Sequence, residues 1–179
     1  MKIEDPSNIN NLPNLESLDF KTPKLATVNE PRIDEIETLQ VVFHGTSLEL
    51  NIKNIGSFDD GLICMDIYIE VLTEMKKNIA DIHVNVVKNK DGTCRANTNV
   101  KNKNREMKRL GRTLWELSLQ LIQKLADKWN IPIMHEVSKA PDPRWRNNKW
   151  DELFTPLLVK HEYSSKGEDS WEKIYLPQK

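Results

Sequence analysis

Cysteine is scarce in this sequence, which has only Cys64 and Cys94 among its 179 residues. Neither cysteine stands at a metal-ligand spacing from His44, His83 or His161, so the sequence predicts no zinc site and no other metal site. The N-terminus also lacks the apolar core of a secretory signal. We therefore expect a cytoplasmic protein with two free thiols, which could pair only if the protein were exported.

Long hydrophobic runs and an excess of charge of one sign are absent as well. No apolar stretch approaches the ~20 residues that a membrane-spanning helix needs. Lys and Arg, 26 in all, nearly balance the 27 Asp and Glu residues, which gives a formal net charge of -1. The overall charge therefore attracts neither nucleic acid nor an anionic membrane, and we expect neither as a partner. Any anion site must be local.

The first 35 residues differ from the rest of the chain in composition and in the pattern of apolar residues. Residues 1–35 contain four of the nine prolines and show no apolar periodicity, which predicts an extended or flexible N-terminal tail. The remaining length suits one domain with a real core, so residues 36–179 are predicted to form a single domain.

Alternation of apolar and polar residues predicts antiparallel strands between residues 39 and 100. The runs that carry this pattern are 39–43, 48–53, 62–72, 82–87 and 93–100. A turn is predicted over residues 56–61, which contain two glycines and two aspartates. Asp91 and Gly92 provide the strongest short hairpin signal, since the favoured turn needs positive φ at both central residues.

The second half of the sequence alternates between helical and strand patterns. Leucines at 110, 114, 117, 121 and 125 predict a long amphipathic helix, which Asn130 and Pro132 end. A strand over 131–137, a helix over 147–161 with Pro156 in its middle, and a last strand over 170–176 follow. A strand–helix–strand step favours a right-handed crossover between parallel neighbours. The predicted fold class is therefore α/β (α+β), a mixed, mainly antiparallel sheet with flanking helices.

The start of the long helix is basic and contains one glycine. In residues 108–113, KRLGRT, the first N–H groups of the helix have no intrahelical partner and the helix dipole is positive. Gly111 lets a ligand approach the backbone, and Lys108, Arg109 and Arg112 add cationic donors, so a diphosphate suits this turn. The alternative is an ordinary helix start, with solvated basic residues and a small residue in the first turn.

This stretch resembles the turn of the Gcn5-related N-acetyltransferase superfamily, whose pattern is Gln/Arg-x-x-Gly-x-Gly/Ala. Lys108 stands at the Gln/Arg position, Gly111 at the central glycine and Thr113 at the last small residue. The order of elements over residues 80–177 is also similar to that family. The resemblance implies an acyl-CoA N-acyltransferase-like three-layer sandwich that transfers an acetyl group to a small-molecule or peptide amine. It also implies that acetyl-CoA is bound through Lys108, Arg109, Leu110, Gly111, Arg112 and Thr113.

The same resemblance indicates where proton transfer takes place. In that family the strand after the long helix ends beside the acyl group, so Glu136 is the predicted general base, directly or through water, with His135 as its partner. Adjacent strand residues point to opposite faces, so only one of the two lines the cleft. The structural alternative is one solvated side chain and one hydrogen-bonded beneath a helix. Leu158 stands where many family members have a proton-donating tyrosine.

Two further hypotheses come from other residues. Trp145 lies between two arginines in a proline-containing loop, which suits a protein partner or an acidic ligand of a non-catalytic relative of the same fold. The alternative is a tryptophan that folds back onto the core. His44, Gly45 and Thr46 resemble the nicotinamide-binding strand of ADP-ribosyltransferases, which implies NAD binding. The alternative is a strand that ends in a glycine turn, with Thr46 and Ser47 as turn formers.

Overall fold

The computed structural model describes residues 32–59, 62–104, 106–107, 109–138, 152, 154–167 and 169–178. The elements follow one another as β1 (Arg32–Phe43), β2 (Thr46–Asp59), β3 (Leu62–Thr73), β4 (Asn78–Lys88), β5 (Cys94–Asn102), α1 (Leu110–Trp129), β6 (Ile133–Ser138), α2 (Thr155–Lys160), β7 (Ser164–Ser165) and β8 (Ser170–Tyr175). The predicted N-terminal tail lies mostly outside the described residues, and its last four residues, 32–35, are the start of β1.

The eight strands of the described residues belong to one sheet in the order β1-β2-β3-β4-β5-β6-β8-β7. Only β5 and β6 run parallel, and every other neighbouring pair is antiparallel. The predicted mixed α/β fold with a mainly antiparallel sheet is therefore confirmed. The meander of the first five strands is confirmed too, with Gly92 at φ +85° in the turn between β4 and β5.

The turn predicted over residues 56–61 is wrong in extent. β2 continues to Asp59 and β3 begins at Leu62, so the connection is confined to the two residues 60–61, which lie outside the described part. Gly56 pairs with Arg32 on one side and with Met65 on the other. Ladder hydrogen bonds to two neighbouring strands outweigh the local turn preference of a glycine here.

The long helix is confirmed over Leu110–Trp129. Asn130 ends it in the left-handed conformation, and its N–H group donates to the carbonyls of Ala126 and Asp127. Asparagine adopts this conformation more readily than most residues, which explains why the helix stops there. The chain then returns through Pro132 to β6 beside β5, as the predicted crossover requires.

The described residues confirm the second half of the second predicted helix. It covers Thr155–Lys160, and Pro156 lies in its first turn rather than in its middle. Proline is favoured at this position because its N–H group would have no helical partner there. Most of the predicted first half of this helix lies outside the described residues. The two-residue strand β7 was not predicted.

α1 packs on one face of the sheet, and the start of α2 packs against α1. α1 contacts β4, β5, β6 and β8, and Trp115 of α1 meets Phe154 at the start of α2 with ring centroids 5.5 Å apart. We call this side the helix face. It is built from alternating strand residues that are fully or almost fully buried: Leu48, Leu50, Ile52, Met65, Ile67, Ile69, Ile82, Val84, Val86, Ala96 and Ile133.

The intervening strand residues form the opposite side, which we call the polar face. It carries Glu49, Asn51, Lys53, Asp66, Tyr68, Glu70, Asp81, His83, Asn85, Arg95, Asn97, Asn99, Lys101 and Glu136. Among the described residues no helix covers this face, so the part of the chain that can be described forms two layers of the predicted three. None of its helices has the length and apolar character needed to cross a membrane.

Candidate functional site

The two parallel strands separate soon after they meet. β5 and β6 pair only through Cys94–Ile133, Arg95–Met134 and Ala96–His135. Beyond these pairs β5 continues beside β4 as far as Asn102, whereas β6 continues beside β8 as far as Ser138. A gap therefore opens in the sheet between residues 97–102 and residues 136–138, and we call it the β5–β6 gap.

The start of α1 borders this gap. A Cβ atom placed on Gly111 would lie 3.7 Å from the Cβ of Asn102, the last residue of β5. Arg109, just before the helix, is exposed and adopts the left-handed conformation at φ +67°. The positive end of the helix dipole is thereby placed at the end of β5, where the gap is open.

The backbone of the predicted anion-binding turn is partly engaged within the protein. The N–H group of Thr113 donates to the Arg109 carbonyl at 3.0 Å, and that of Leu110 donates to the Met107 carbonyl at 3.3 Å. Within the described part of the chain, the N–H groups of Gly111 and Arg112 have no such partner. These two groups are therefore the best candidates to donate to a bound anion. Lys108 lies outside the described residues.

Next to this turn, a buried carboxylate joins the two helices. Glu116 Oε1 lies 3.1 Å from His161 Nε2, 3.3 Å from Lys160 Nζ and 3.6 Å from Arg112 Nε. Burial alone would raise the pKa of Glu116, but hydrogen bonds from His161 and Lys160 and the charges of Lys160 and Arg112 outweigh it and lower the pKa. The ionised carboxylate therefore ties the end of α2 to the first two turns of α1.

His135 is placed on the helix face and is completely buried. Its Nδ1 atom lies 2.5 Å from the hydroxyl of Tyr163, which in turn lies 3.1 Å from the hydroxyl of Tyr175. Its Nε2 atom is hydrogen-bonded to the hydroxyl of Thr98 on β5. Burial lowers the pKa of His135 to about 4, so the ring is neutral at neutral pH. His135 thus belongs to a buried polar network across the base of the gap.

Burial has the opposite effect on the two tyrosines of this network. It raises the pKa of Tyr163 well above its usual range and that of Tyr175 to about 12. Both phenols therefore keep their protons and serve as neutral hydrogen-bonding groups.

Glu136 lies on the polar face, so the structure separates it from the side chain of His135. Its side chain is 40% exposed, and its Oε1 atom lies 3.5 Å from Arg95 Nη1. Because it directly follows the last β5–β6 pair, Glu136 stands at the edge of the gap. Of the two predicted proton-handling residues, Glu136 is the one that a solvent-borne molecule can reach.

Sequence reasoning missed a second group of side chains on the polar face. His83 Nε2 lies 2.7 Å from Asp66 Oδ1, which also accepts from Asn85 Nδ2 at 2.8 Å. The His83 ring is stacked on Tyr68, with ring centroids 4.3 Å apart. These contacts follow from the register of the antiparallel strands, which pairs Asp66 with Asn85 and Tyr68 with His83. The sequence alone does not give that register.

His44 lies in the turn between β1 and β2, with φ +47°, followed by Gly45 at φ +76°. The alternative to NAD binding placed Thr46 and Ser47 in this turn. Both residues belong to β2 instead. The turn borders a shallow cleft of about 530 Å³ lined by Phe43, His44, Thr46, Glu106, Met107 and Arg109. His44 and Arg109, which the sequence placed in different hypotheses, therefore line the same cleft.

The other residues that the sequence singled out contribute less to a candidate site. Cys94 is buried, and burial raises the pKa of its thiol to about 11, so it is a poor nucleophile. Leu158 is completely buried. The described residues contain no group of three or more side chains that could hold a metal ion. Trp145 and its flanking arginines lie outside the described residues.

Comparison with known proteins gives no family for this chain. No protein-family model matches the sequence, and no curated protein matches it significantly.

Proposed function

We propose that this protein is an acyl-CoA-dependent N-acyltransferase-like protein of the acyl-CoA N-acyltransferase fold, which transfers an acetyl group to an amine. One observation carries the proposal: two parallel strands separate, and a long helix begins at the edge of the gap between them. A gap of this kind admits an extended thioester arm, and a helix start beside it suits the diphosphate of the same molecule.

The residues of the turn supply the cofactor contacts in this proposal. The N–H groups of Gly111 and Arg112 donate to diphosphate oxygens, and the exposed side chain of Arg109 adds a positive charge. Leu110 is buried and anchors the turn to the core. The N–H group of Thr113 donates to the Arg109 carbonyl and thereby fixes the turn to the helix. Lys108 extends the basic stretch. Bound acetyl-CoA supplies the activated acetyl group.

Glu136 handles the proton of the amine in this proposal, because it lies at the edge of the gap and is accessible to solvent. His135 acts as a positioning residue: through Thr98 it links the β6 wall of the gap to the β5 wall. Leu158 has no transferable proton, so the departing thiolate takes its proton from another donor.

Titration with acetyl-CoA tests the cofactor site, with unfolding temperature as the readout. Binding to the folded state raises the midpoint by mass action, and each kcal/mol is worth about 2–4 °C for a chain of this size. Gly111→Asp places a negative charge beside the diphosphate and is expected to abolish the rise. The near-isosteric Gly111→Asn is the matched control and separates the effect of charge from that of volume.

An aspartate in the first turn of a helix interacts favourably with the helix dipole, so Gly111→Asp is expected to keep the fold. A rise that is the same in the wild-type protein and in Gly111→Asp would contradict the proposed site. No rise with millimolar acetyl-CoA in the wild-type protein would contradict the proposed function.

A second candidate is a non-catalytic protein of the same fold that binds a ligand or a protein partner. The observation that favours it is the buried leucine, Leu158, at the position where the family has its proton donor. This candidate predicts acetyl-CoA binding without amine-dependent thiol release, and a partner that Trp145→Ala weakens.

A further inference from the structure

The shallow cleft between the β1–β2 turn and the start of α1 is a second candidate site. Its volume of about 530 Å³ lies within the range of about 300–1,000 Å³ that is usual for small-molecule sites. Two of its lining residues, Phe43 and Met107, are half-buried and pack against the hydrophobic core. The cleft therefore offers an apolar surface to a ligand.

Hydrogen bonds hold the segment that forms one wall of this cleft. The side-chain oxygen of Asn102 accepts from the N–H group of Asn104 at 2.9 Å, and that of Asn104 accepts from the N–H group of Glu106 at 3.0 Å. The N–H group of Leu110 then donates to the Met107 carbonyl at 3.3 Å. The wall is thus formed without a ligand, as the walls of small-molecule sites usually are.

Two exposed residues of opposite charge, Glu106 and Arg109, line the cleft. Within the described residues, neither the carboxylate of Glu106 nor the guanidinium of Arg109 has an ion-pair or hydrogen-bond partner, and the two do not pair with each other. Arg112, one turn into α1, is by contrast paired with Glu116. Both charges of the cleft are therefore open to a ligand.

The backbone is strained on both sides of the cleft. His44 has φ +47° and Arg109 has φ +67°, in the left-handed region that residues other than glycine rarely adopt. Such conformations cost free energy and cluster at sites that bind ligands. A histidine and an arginine at these positions, in place of glycine or asparagine, are the kind of departure from local preference that functional sites show.

These groups match the chemistry of an apolar α-amino acid. A guanidinium binds a carboxylate through two parallel hydrogen bonds, and a carboxylate accepts hydrogen bonds from an ammonium group. The Cα atoms of Glu106 and Arg109 are three residues apart in the chain and hence at most about 10 Å apart, so they suit two charges that lie close together. A nucleotide fits less well, because Glu106 would repel its phosphate groups.

We propose that this cleft binds a free α-amino acid with a large apolar side chain. Its carboxylate pairs with Arg109, and its ammonium group pairs with Glu106. Its side chain lies against Phe43 and Met107. The inference goes beyond the proposed function and does not rest on it, because binding in this cleft requires neither acetyl-CoA nor the β5–β6 gap.

The test is a titration with L-phenylalanine at neutral pH, without coenzyme A, followed through the backbone amide NMR signals of Gly45 and Met107. These signals are expected to shift and to saturate at millimolar phenylalanine. Two analogues each lack one charge: phenethylamine has no carboxylate, and 3-phenylpropanoate has no ammonium group. Each analogue is expected to bind about tenfold more weakly than phenylalanine, because one charge-assisted contact is lost.

Variants of the two charged residues are matched to the two analogues. Arg109→Gln is expected to weaken phenylalanine binding by about tenfold and to leave phenethylamine binding within about twofold, because phenethylamine has no carboxylate. Glu106→Gln is expected to weaken phenylalanine binding by the same factor and to leave 3-phenylpropanoate binding within about twofold. Lys101→Gln removes an exposed cation of β5 outside the cleft and is the control, expected to bind all three ligands as the wild-type protein does.

Several outcomes would overturn the inference. One is the absence of saturating shifts at Gly45 and Met107 with millimolar phenylalanine, and another is equal affinity for phenylalanine and both analogues. Tighter binding of adenosine 5′-monophosphate than of phenylalanine would show that the cleft takes nucleotides instead. An equal loss of phenylalanine and phenethylamine binding in Arg109→Gln would show that the variant alters the cleft as a whole, and it would contradict the assigned carboxylate contact. Absence of acetyl-CoA binding is a separate result that contradicts the proposed function alone.

Discussion

Glu116 Oε1 lies 3.1 Å from His161 Nε2, and this pair joins the second turn of α1 to the end of α2. Glu116 is buried, and it is the carboxylate partner of both Lys160 and His161. The loss of its charge leaves these two side chains without that partner. Glu116→Gln is therefore expected to lower the free energy of unfolding by about 1–3 kcal/mol at pH 7. Urea denaturation measures this.

The pH dependence of the same pair has a definite sign. The pKa of Glu116 is lowered in the folded state, so its stabilising effect is present above the pKa of an unfolded glutamate, about 4.3, and is lost as the pH falls below it. Glu116→Gln is expected to remove that part of the acid sensitivity. Glu70→Gln, which breaks a half-exposed ion pair with Lys53, is the control and is expected to cost under about 1 kcal/mol. Equal effects of the two variants would contradict this account.

The buried imidazole of His135 predicts a second, higher pH window. Burial lowers its pKa to about 4, whereas an unfolded histidine titrates near 6.5. Between these values the unfolded chain binds more protons, so the free energy of unfolding decreases as the pH falls from about 6.5 to about 4, by roughly 3 kcal/mol in all. Urea denaturation across this range is expected to show a flatter profile for His135→Gln. A wild-type profile without a slope there would contradict the prediction.

The two tyrosines of the buried network differ in the number of hydrogen-bond partners that each one has. Tyr163→Phe removes a partner from both His135 and Tyr175 and is expected to cost about 1–3 kcal/mol. Tyr175→Phe removes a partner from Tyr163 alone, so a smaller loss is expected. Denaturation of both variants and of the double variant measures the coupling between them. A larger loss in Tyr175→Phe would show that the network is organised differently.

The turn between β1 and β2 gives a prediction of opposite sign. His44 has φ +47° and precedes Gly45, and Asn-Gly is the favoured pair for a two-residue hairpin turn with positive φ at both positions. His44→Asn is therefore expected to raise the free energy of unfolding by several tenths of a kcal/mol. If His44 instead serves NAD, millimolar NAD will raise the unfolding temperature of the wild-type protein and not of the variant. We expect no rise in either.

The sequence predicted those parts of the fold that depend on local signals. Asp91 and Gly92 indicated a hairpin through their turn preference. Leu110 and the four leucines that follow it at helical spacing indicated α1. The parallel placement of β6 followed from the crossover rule. Where non-local pairing decides, the prediction was wrong: Gly56 was assigned to a turn but lies within a ladder between two strands.

The candidate site was predictable to a smaller extent. Gly111 and Glu136 were singled out from the sequence, and both border the β5–β6 gap. The contact between Glu116 and His161 spans 45 residues, and that between Asp66 and His83 spans 17. Such pairs depend on how helices pack and on strand register, which neither composition nor periodicity contains. Acetyl-CoA binding and acetyl transfer remain predictions.

Backbone amide NMR during a titration with coenzyme A tests the central claim most directly. The account predicts that the amide signals of Gly111 and Arg112 shift and saturate, because their N–H groups donate to the diphosphate. The amide of Gly92, at the opposite end of β5, is expected to stay unchanged. Unshifted signals of Gly111 and Arg112 at millimolar coenzyme A, or shifts confined to other parts of the chain, would contradict the account.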